Sequence, residues 1–220
     1  RKVPRKRSDT FREAVQSFWF LQCTLFIEVN GRGISPGRFD QYMYRPFRDD
    51  IESGRITREE VLELLELLRI KHTEIIRAHA QFTESYLGGS IFQNVTLGGT
   101  DRWGRGADNE LSILVLQAGI NVKSHQPTLS IRWSDKLSQD FKLKAVECIK
   151  AGCGYPALFN DDTGIERFIK TGATLEDARD WAPCGCVDMN ICGKRVPQWD
   201  PSIWNAAKVL ELVLNDGVNP

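Results

Sequence analysis

Apolar positions recur at helical spacing in two stretches near the start of the chain. Thr10-Phe-Arg-Glu13 has the form of a capping box and opens an apolar, aromatic helix through about Ile27. The next stretch, NGRGISPGRFDQYMY over 30–44, is punctuated by Gly and Pro and reads as a loop. Thr57-Arg-Glu-Glu60 is a second capping box. It opens an amphipathic helix through Val61, Leu64, Leu65 and Leu68 and on to Ile75 and Ile76. The pattern then changes. QNVTLGG over 93–99, PTLSIRW over 127–133 and YPALFND over 155–161 read as strands. Helices are expected between them, from Asp108-Asn-Glu110 to about Ala118 and from Ser138 to Lys150. Thr174-Leu-Glu-Asp177 starts a short helix, and Asp200-Pro201-Ser202 starts a last one that ends at Gly217. Strands alternating with helices make the fold class α/β, in a single domain over 1–220. So few strands need more chain to close a sheet or barrel.

Composition narrows the function classes. The 220 residues are 41% hydrophobic, enough for a buried core. Lys+Arg and Asp+Glu number 29 each, and that balance gives no support for a nucleic-acid partner. The basic start, RKVPRKR, reads as a solvated edge. There is no apolar run of membrane-spanning length and no signal-peptide core, so a cytoplasmic protein without a membrane partner is expected. The chain begins with Arg and ends just past a helix, and so reads as an excerpt of a longer protein. In a reducing cytosol its six cysteines are free, metal-bound or catalytic.

Three of those cysteines fall in DWAPCGCVDMNICGKR, residues 180–195. Cys184, Cys186 and Cys192 supply three thiolates, whereas structural zinc sites want four ligands in paired knuckles. Buried free thiols are the bland reading, and suit Cys23, Cys148 and Cys192. They suit Cys186 poorly, because Gly185 and Asp188 are not core-packing neighbours. In an extended segment Cys186 and Asp188 face the same side. A carboxylate beside a thiol disfavours the thiolate, so a protease-type nucleophile is not indicated. A neutral thiol that handles hydrogen atoms, beside a carboxylate that handles protons, is the third reading. His72 and His79 lie seven apart without a ligand partner and read as surface or core-edge histidines. Arg38 and Asp40, two apart, are spaced to pair with each other.

GCVD at 185–188 resembles the Gly-Cys-Val-Glu motif of the glycyl radical enzymes, the pyruvate formate-lyase-like group. GISPGRFDQYMY, FQNVTLGGTD, NELS, QPTLSIRW, LFNDD, TLEDARDWAPCGCVD and AAKVLELVLNDG are similar to blocks of that family, in family order. They cover the chain from about Phe11 to Gly217. The resemblance implies part of a ten-stranded α/β barrel of two antiparallel half-barrels. The cysteine would sit on a finger loop inside it, here about 182–200. It implies a protein-based glycyl radical as cofactor, with no bound metal. The radical glycine's Arg-Val-x-Gly-Tyr-like motif is not in this sequence, so the fragment alone is expected to be inactive.

By the same resemblance the radical takes the hydrogen of Cys186, and the resulting thiyl radical abstracts hydrogen from a small-molecule substrate. Asp188 stands where dehydratases and decarboxylases of the family carry a glutamate base, one methylene longer. Asp200 falls where the glycerol and choline branch has an acid contacting a substrate hydroxyl. Its alternative role is a helix cap. The implied partners are a radical S-adenosylmethionine activating enzyme and a second copy of the full-length protein. The acid argues against acyl transfer and against hydrocarbon–fumarate addition. Elimination from a hydroxylated substrate stands first and arylacetate decarboxylation second. Trp181, Trp199 and Trp204 are placed to line an aromatic pocket or to pack in the barrel core. A non-catalytic zinc-binding or structural module remains the reading of another class.

Overall fold

The computed structural model describes residues 3–29, 33–75, 91–194 and 205–219. Helix α1 is Phe11–Val29. The Thr10 hydroxyl accepts the Glu13 N–H at 3.1 Å, and the Glu13 carboxylate accepts the N–H of Asp9. Helices α2 (Phe39–Tyr42) and α3 (Tyr44–Glu52) follow. α2 lies inside the stretch expected to be a loop. α3 escaped the pattern because only Phe47 and Asp50 of its residues are buried, too few for a visible stripe. α4, Arg58–Thr73, opens on the full reciprocal Thr57/Glu60 box and ends at Thr73, short of Ile76. Ile76 and His79 lie outside the described residues.

The three expected strands are present: β1 (Asn94–Gly98), β2 (Thr128–Trp133) and β3 (Ala157–Asn160). They form a parallel sheet in chain order. Helix α5 (Glu110–Val122), capped by Asn109, joins β1 to β2, and α6 (Gln139–Lys150), capped by Ser138, joins β2 to β3. Helix α7, Asp161–Lys170, follows β3 directly. The pattern did not give it, although Asn160 caps it and Asp161 and Asp162 fill its first turn. A short α8 (Leu175–Ala178) leads into two strands, β4 (Trp181–Cys184) and β5 (Asp188–Ile191). Helix α9 is Ala206–Leu214, capped by Asn205. The expected start of that helix at 200–202 is outside the described residues.

The sheet has two unlike faces. Val95, Leu97, Leu129 and Ile131 point to one side and pack with Leu111, Leu116, Phe141 and Ala145 in the main core. Asn94, Thr96, Ser130 and Arg132 point to the other, and all four are buried. Both faces of a parallel sheet are ordinarily apolar and covered by helices. Here the polar face meets the β4–β5 hairpin instead. His72 is not at the core edge but within the core, 1% exposed, with Nδ1 2.8 Å from Leu68 O. Burial, with a smaller contribution from the Arg69 charge, pushes its pKa down to about 4. It is a neutral packing residue. No helix among the described residues is long and apolar enough to cross a membrane.

Candidate active site

The cysteine segment, expected as a loop, is an antiparallel hairpin. Cys184 pairs with Asp188, Pro183 with Met189, Ala182 with Asn190 and Trp181 with Ile191. Gly185, Cys186 and Val187 form the connection, and Gly185 takes φ +59°, where glycine is tolerated without strain. Cys186 is exposed at this tip. Its geometry therefore differs from the extended pairing expected with Asp188. Residues paired across a hairpin share a face, so Asp188 shares one with Cys184, Ala182 and Asn190. The Asn190 amide donates to Asp188 Oδ2 at 2.7 Å and fixes the carboxylate. Asp188's charge bears on Cys184, whose pKa is raised chiefly by burial.

The hairpin is fastened at its base. Trp181 and Arg132 are fully buried, as is Asp161. Asp161 Oδ1 accepts Arg132 Nε at 2.8 Å and Trp181 Nε1 at 2.9 Å, and the Arg132 guanidinium lies 5.0 Å from the Trp181 ring centroid. Burial lowers the Arg132 pKa to about 10. Trp181 is thus a core anchor, packed with Phe168 and Ala178 in a second cluster. Trp199 and Trp204 are outside the described residues. Gly164 of α7 makes room for the indole: a Cβ there would meet Trp181 Cε2 at 2.4 Å. Gly164→Ala is expected to destabilise the protein by about 1–3 kcal/mol, because overpacking outweighs alanine's better helix propensity. Urea unfolding checks this, and an unchanged midpoint would contradict it.

Arg38 and Asp40 do not pair as the spacing allowed. Arg38 donates to Thr100 O at 2.9 Å and bonds Asp180 Oδ1 at 3.0 Å, clamping the start of β4 to the end of β1. Asp40, fully buried, accepts from Gly98 N at 2.8 Å and Ser112 Oγ at 2.6 Å. Burial pushes its pKa up, partly offset by these bonds. Both are framework residues beneath the site.

The three clustered cysteines are not gathered. Cys184 donates to Gly33 O at 3.1 Å, Cys186 is exposed, and Cys192 lies beside Gly37, its pKa raised to about 11 by burial and by Asp180. Among the described residues no group of three or more His, Cys, Asp or Glu is placed to hold a metal ion. Asp200 is outside the described residues.

A profile of the family described as "Pyruvate formate lyase-like" matches residues 1–220. The chain belongs to this family. It is similar to the indoleacetate decarboxylase of Tractidigestivibacter scatoligenes, 39% identical over all of this chain and 26% of that protein. It is similar also to the (2S)-3-sulfopropanediol dehydratase of Klebsiella oxytoca, 37% identical over 95% of this chain and 26% of that one. A solved glycyl radical enzyme from Archaeoglobus fulgidus superposes with a TM-score of 0.93 at 37% identity, covering 100% of this chain and 28% of that structure. The chain thus spans about a quarter of the length of these relatives. Its sheet, helices and hairpin are part of the α/β barrel of these enzymes. The relatives it matches thus include both a decarboxylase and a dehydratase.

Sequence reasoning did not single out Ser35, Asn94, Asn190, Arg132 or Asp161. A signal was present: Asn94 and Thr96, then Ser130 and Arg132, put polar residues at alternate positions of two strands that are otherwise apolar. The side-chain oxygens of Thr96 and Ser130, with Asn94 Oδ1 and Asn190 Oδ1, are buried without a hydrogen-bond partner among the described residues. Such atoms cost about 1–3 kcal/mol each when left unmade. That face is built to meet polar groups.

Proposed function

We propose that this chain carries the hydrogen-transfer thiol, Cys186, and the acid–base carboxylate, Asp188, of a glycyl radical lyase acting on a small hydroxylated substrate. The observation that carries the reading is the exposed Cys186 at the tip of an anchored hairpin, two residues from an Asp188 held by Asn190. An exposed thiol on a fixed tip fits a group that must meet a radical centre brought from elsewhere in the barrel. A glycyl radical supplies the unpaired electron that makes Cys186 a thiyl radical.

Cys186 then takes a hydrogen atom from a carbinol carbon, becoming a thiol again. Asp188 accepts the proton of that carbon's hydroxyl and passes a proton to the neighbouring hydroxyl, which leaves as water. Cys186 returns its hydrogen atom to the product radical. A diol becomes an aldehyde plus water, with no external oxidant or reductant. Asp200 is proposed to contact a substrate hydroxyl, and a radical S-adenosylmethionine activating enzyme and a second copy of the complete polypeptide are the proposed partners. The runner-up is loss of carbon dioxide from an arylacetate, supported by the likeness to indoleacetate decarboxylase.

The test is product analysis on the complete polypeptide activated without oxygen, with propane-1,2-diol and indoleacetate as probes. Asp188→Asn is expected to lower turnover by roughly 10²–10⁴-fold while leaving the radical content intact. Parent-level turnover in that variant would remove Asp188 from the mechanism.

A further inference from the structure

We infer that Ser35 and Asn94 are positioning residues that set the place of the Cys186 thiol by gripping the Gly185 peptide from both sides. This rests on the reading of Cys186 as the hydrogen-transferring group. The Gly185 N–H donates to Ser35 Oγ at 2.8 Å, and Asn94 Nδ2 donates to Gly185 O at 3.1 Å. The same Ser35 oxygen accepts the Asn94 backbone N–H at 3.1 Å, so the two grips are tied to each other. Gly33 O and Phe92 O lie 3.2 and 3.4 Å from Ser35 Oγ and stand ready for its proton. One residue earlier, the Cys184 thiol donates to Gly33 O.

These grips belong to rigid structure. The segment around Ser35 runs along β1 on the side away from β2, with Gly37 N donating to Asn94 O and Thr96 N donating to Gly37 O. Asn94 is the first residue of β1 and is 2% exposed. A buried amide is costly unless it is bonded. Among the described residues the side-chain bond that Asn94 makes is the one to Gly185, while its Oδ1 has no partner. Its burial is therefore directed at the peptide that precedes the reactive cysteine.

A role in folding alone does not account for the clamp. The hairpin base is held separately, by Trp181 on Asp161 and by Arg38 on Asp180. Beyond Gly185 the tip is exposed, Val187 by 67%. What Ser35 and Asn94 add is the location of that tip. Transfer of a hydrogen atom needs the reacting atoms near contact, and a misplacement of about 1 Å costs on the order of 10²-fold.

The experiment uses the complete polypeptide, activated without oxygen, with Ser35→Ala, Ser35→Thr, Asn94→Asp and Cys186→Ala. Two measurements are made and neither needs a substrate. The first is amide hydrogen exchange of the peptide spanning 184–188. The second is the rate at which the radical's electron paramagnetic resonance doublet becomes a singlet in deuterium oxide. There Cys186, deuterated on sulfur by solvent, gives deuterium to the radical carbon and takes hydrogen back, and solvent renews the sulfur label.

Ser35→Ala and Asn94→Asp are expected to speed amide exchange and to slow the spectral change by about 10²-fold at parent spin content. Ser35→Thr, which keeps the hydroxyl, should behave as the parent. Unchanged amide exchange would overturn the clamp, and faster amide exchange with an unchanged spectral rate would overturn its positioning role. A loss of spin content shared by Ser35→Thr would make these residues structural only. If the spectral change persists in Cys186→Ala, the reading of Cys186 itself fails, whatever Ser35 and Asn94 do.

Discussion

Cys186→Ala, made in the complete polypeptide, is expected to lose turnover by roughly 10⁶-fold, the scale seen when an essential reacting group is removed. The glycyl radical should accumulate to the parent level, because the thiol is used only after the radical exists. Cys186→Ser should be no better. Its O–H bond is stronger than the S–H bond, so it does not yield its hydrogen to a carbon radical. Cys184→Ala separates this from a general need for thiols in the hairpin. Its sulfur bonds Gly33 O, so it should keep most of the activity. Anaerobic product analysis beside spin counting checks all three. Turnover retained by Cys186→Ala would end the thiyl reading.

The second large effect is on stability. Asp161→Ala leaves Arg132 buried at 0% exposure with its carboxylate gone, and takes the acceptor from Trp181 Nε1. Breaking a buried ion pair on one side costs about 3–5 kcal/mol. Whole domains are stable by only about 5–15 kcal/mol. The variant should therefore unfold far earlier in urea or fail to accumulate. Replacing both partners with apolar residues of similar volume should cost less than the single change, because no charge is stranded. A loss below about 1 kcal/mol for Asp161→Ala would show that the Arg132 charge finds another partner.

Much of the fold could be read from local chemistry. Capping residues at Thr57, Asn109, Ser138 and Thr174 announce their helices, since each satisfies a backbone N–H that nothing else reaches. The three strands were visible as short apolar runs between turns. Helix α3 was not, because it buries little of its own surface. The hairpin was missed for a different reason. Among the described residues its strands pair with each other alone and lie on a polar sheet face, so Trp181–Cys184 carries Pro183 and no clean alternation.

The same limit applies to the site. Cys186 and Asp188 stood out because they lie two apart in sequence and resemble a family motif. The clamp on Gly185 joins residues 150 and 91 positions away, Ser35 and Asn94. No local pattern records such a contact. Arg38 and Asp40 misled for the converse reason: neighbours in sequence, they answer to different neighbours in space.

The sheet's two faces divide its obligations. One set of positions, Val95, Leu97, Leu129 and Ile131, secures the fold, while the interleaved set meets the hairpin. Two members of the second set are tied to the hairpin: exchanging Asn94 frees the Gly185 carbonyl, and exchanging Arg132 strands the buried Asp161. A lineage built on this plan is free to rewrite Thr96 and Ser130, whose hydroxyls bond nothing among the described residues, while the other letters of the same strands keep the cysteine in one place.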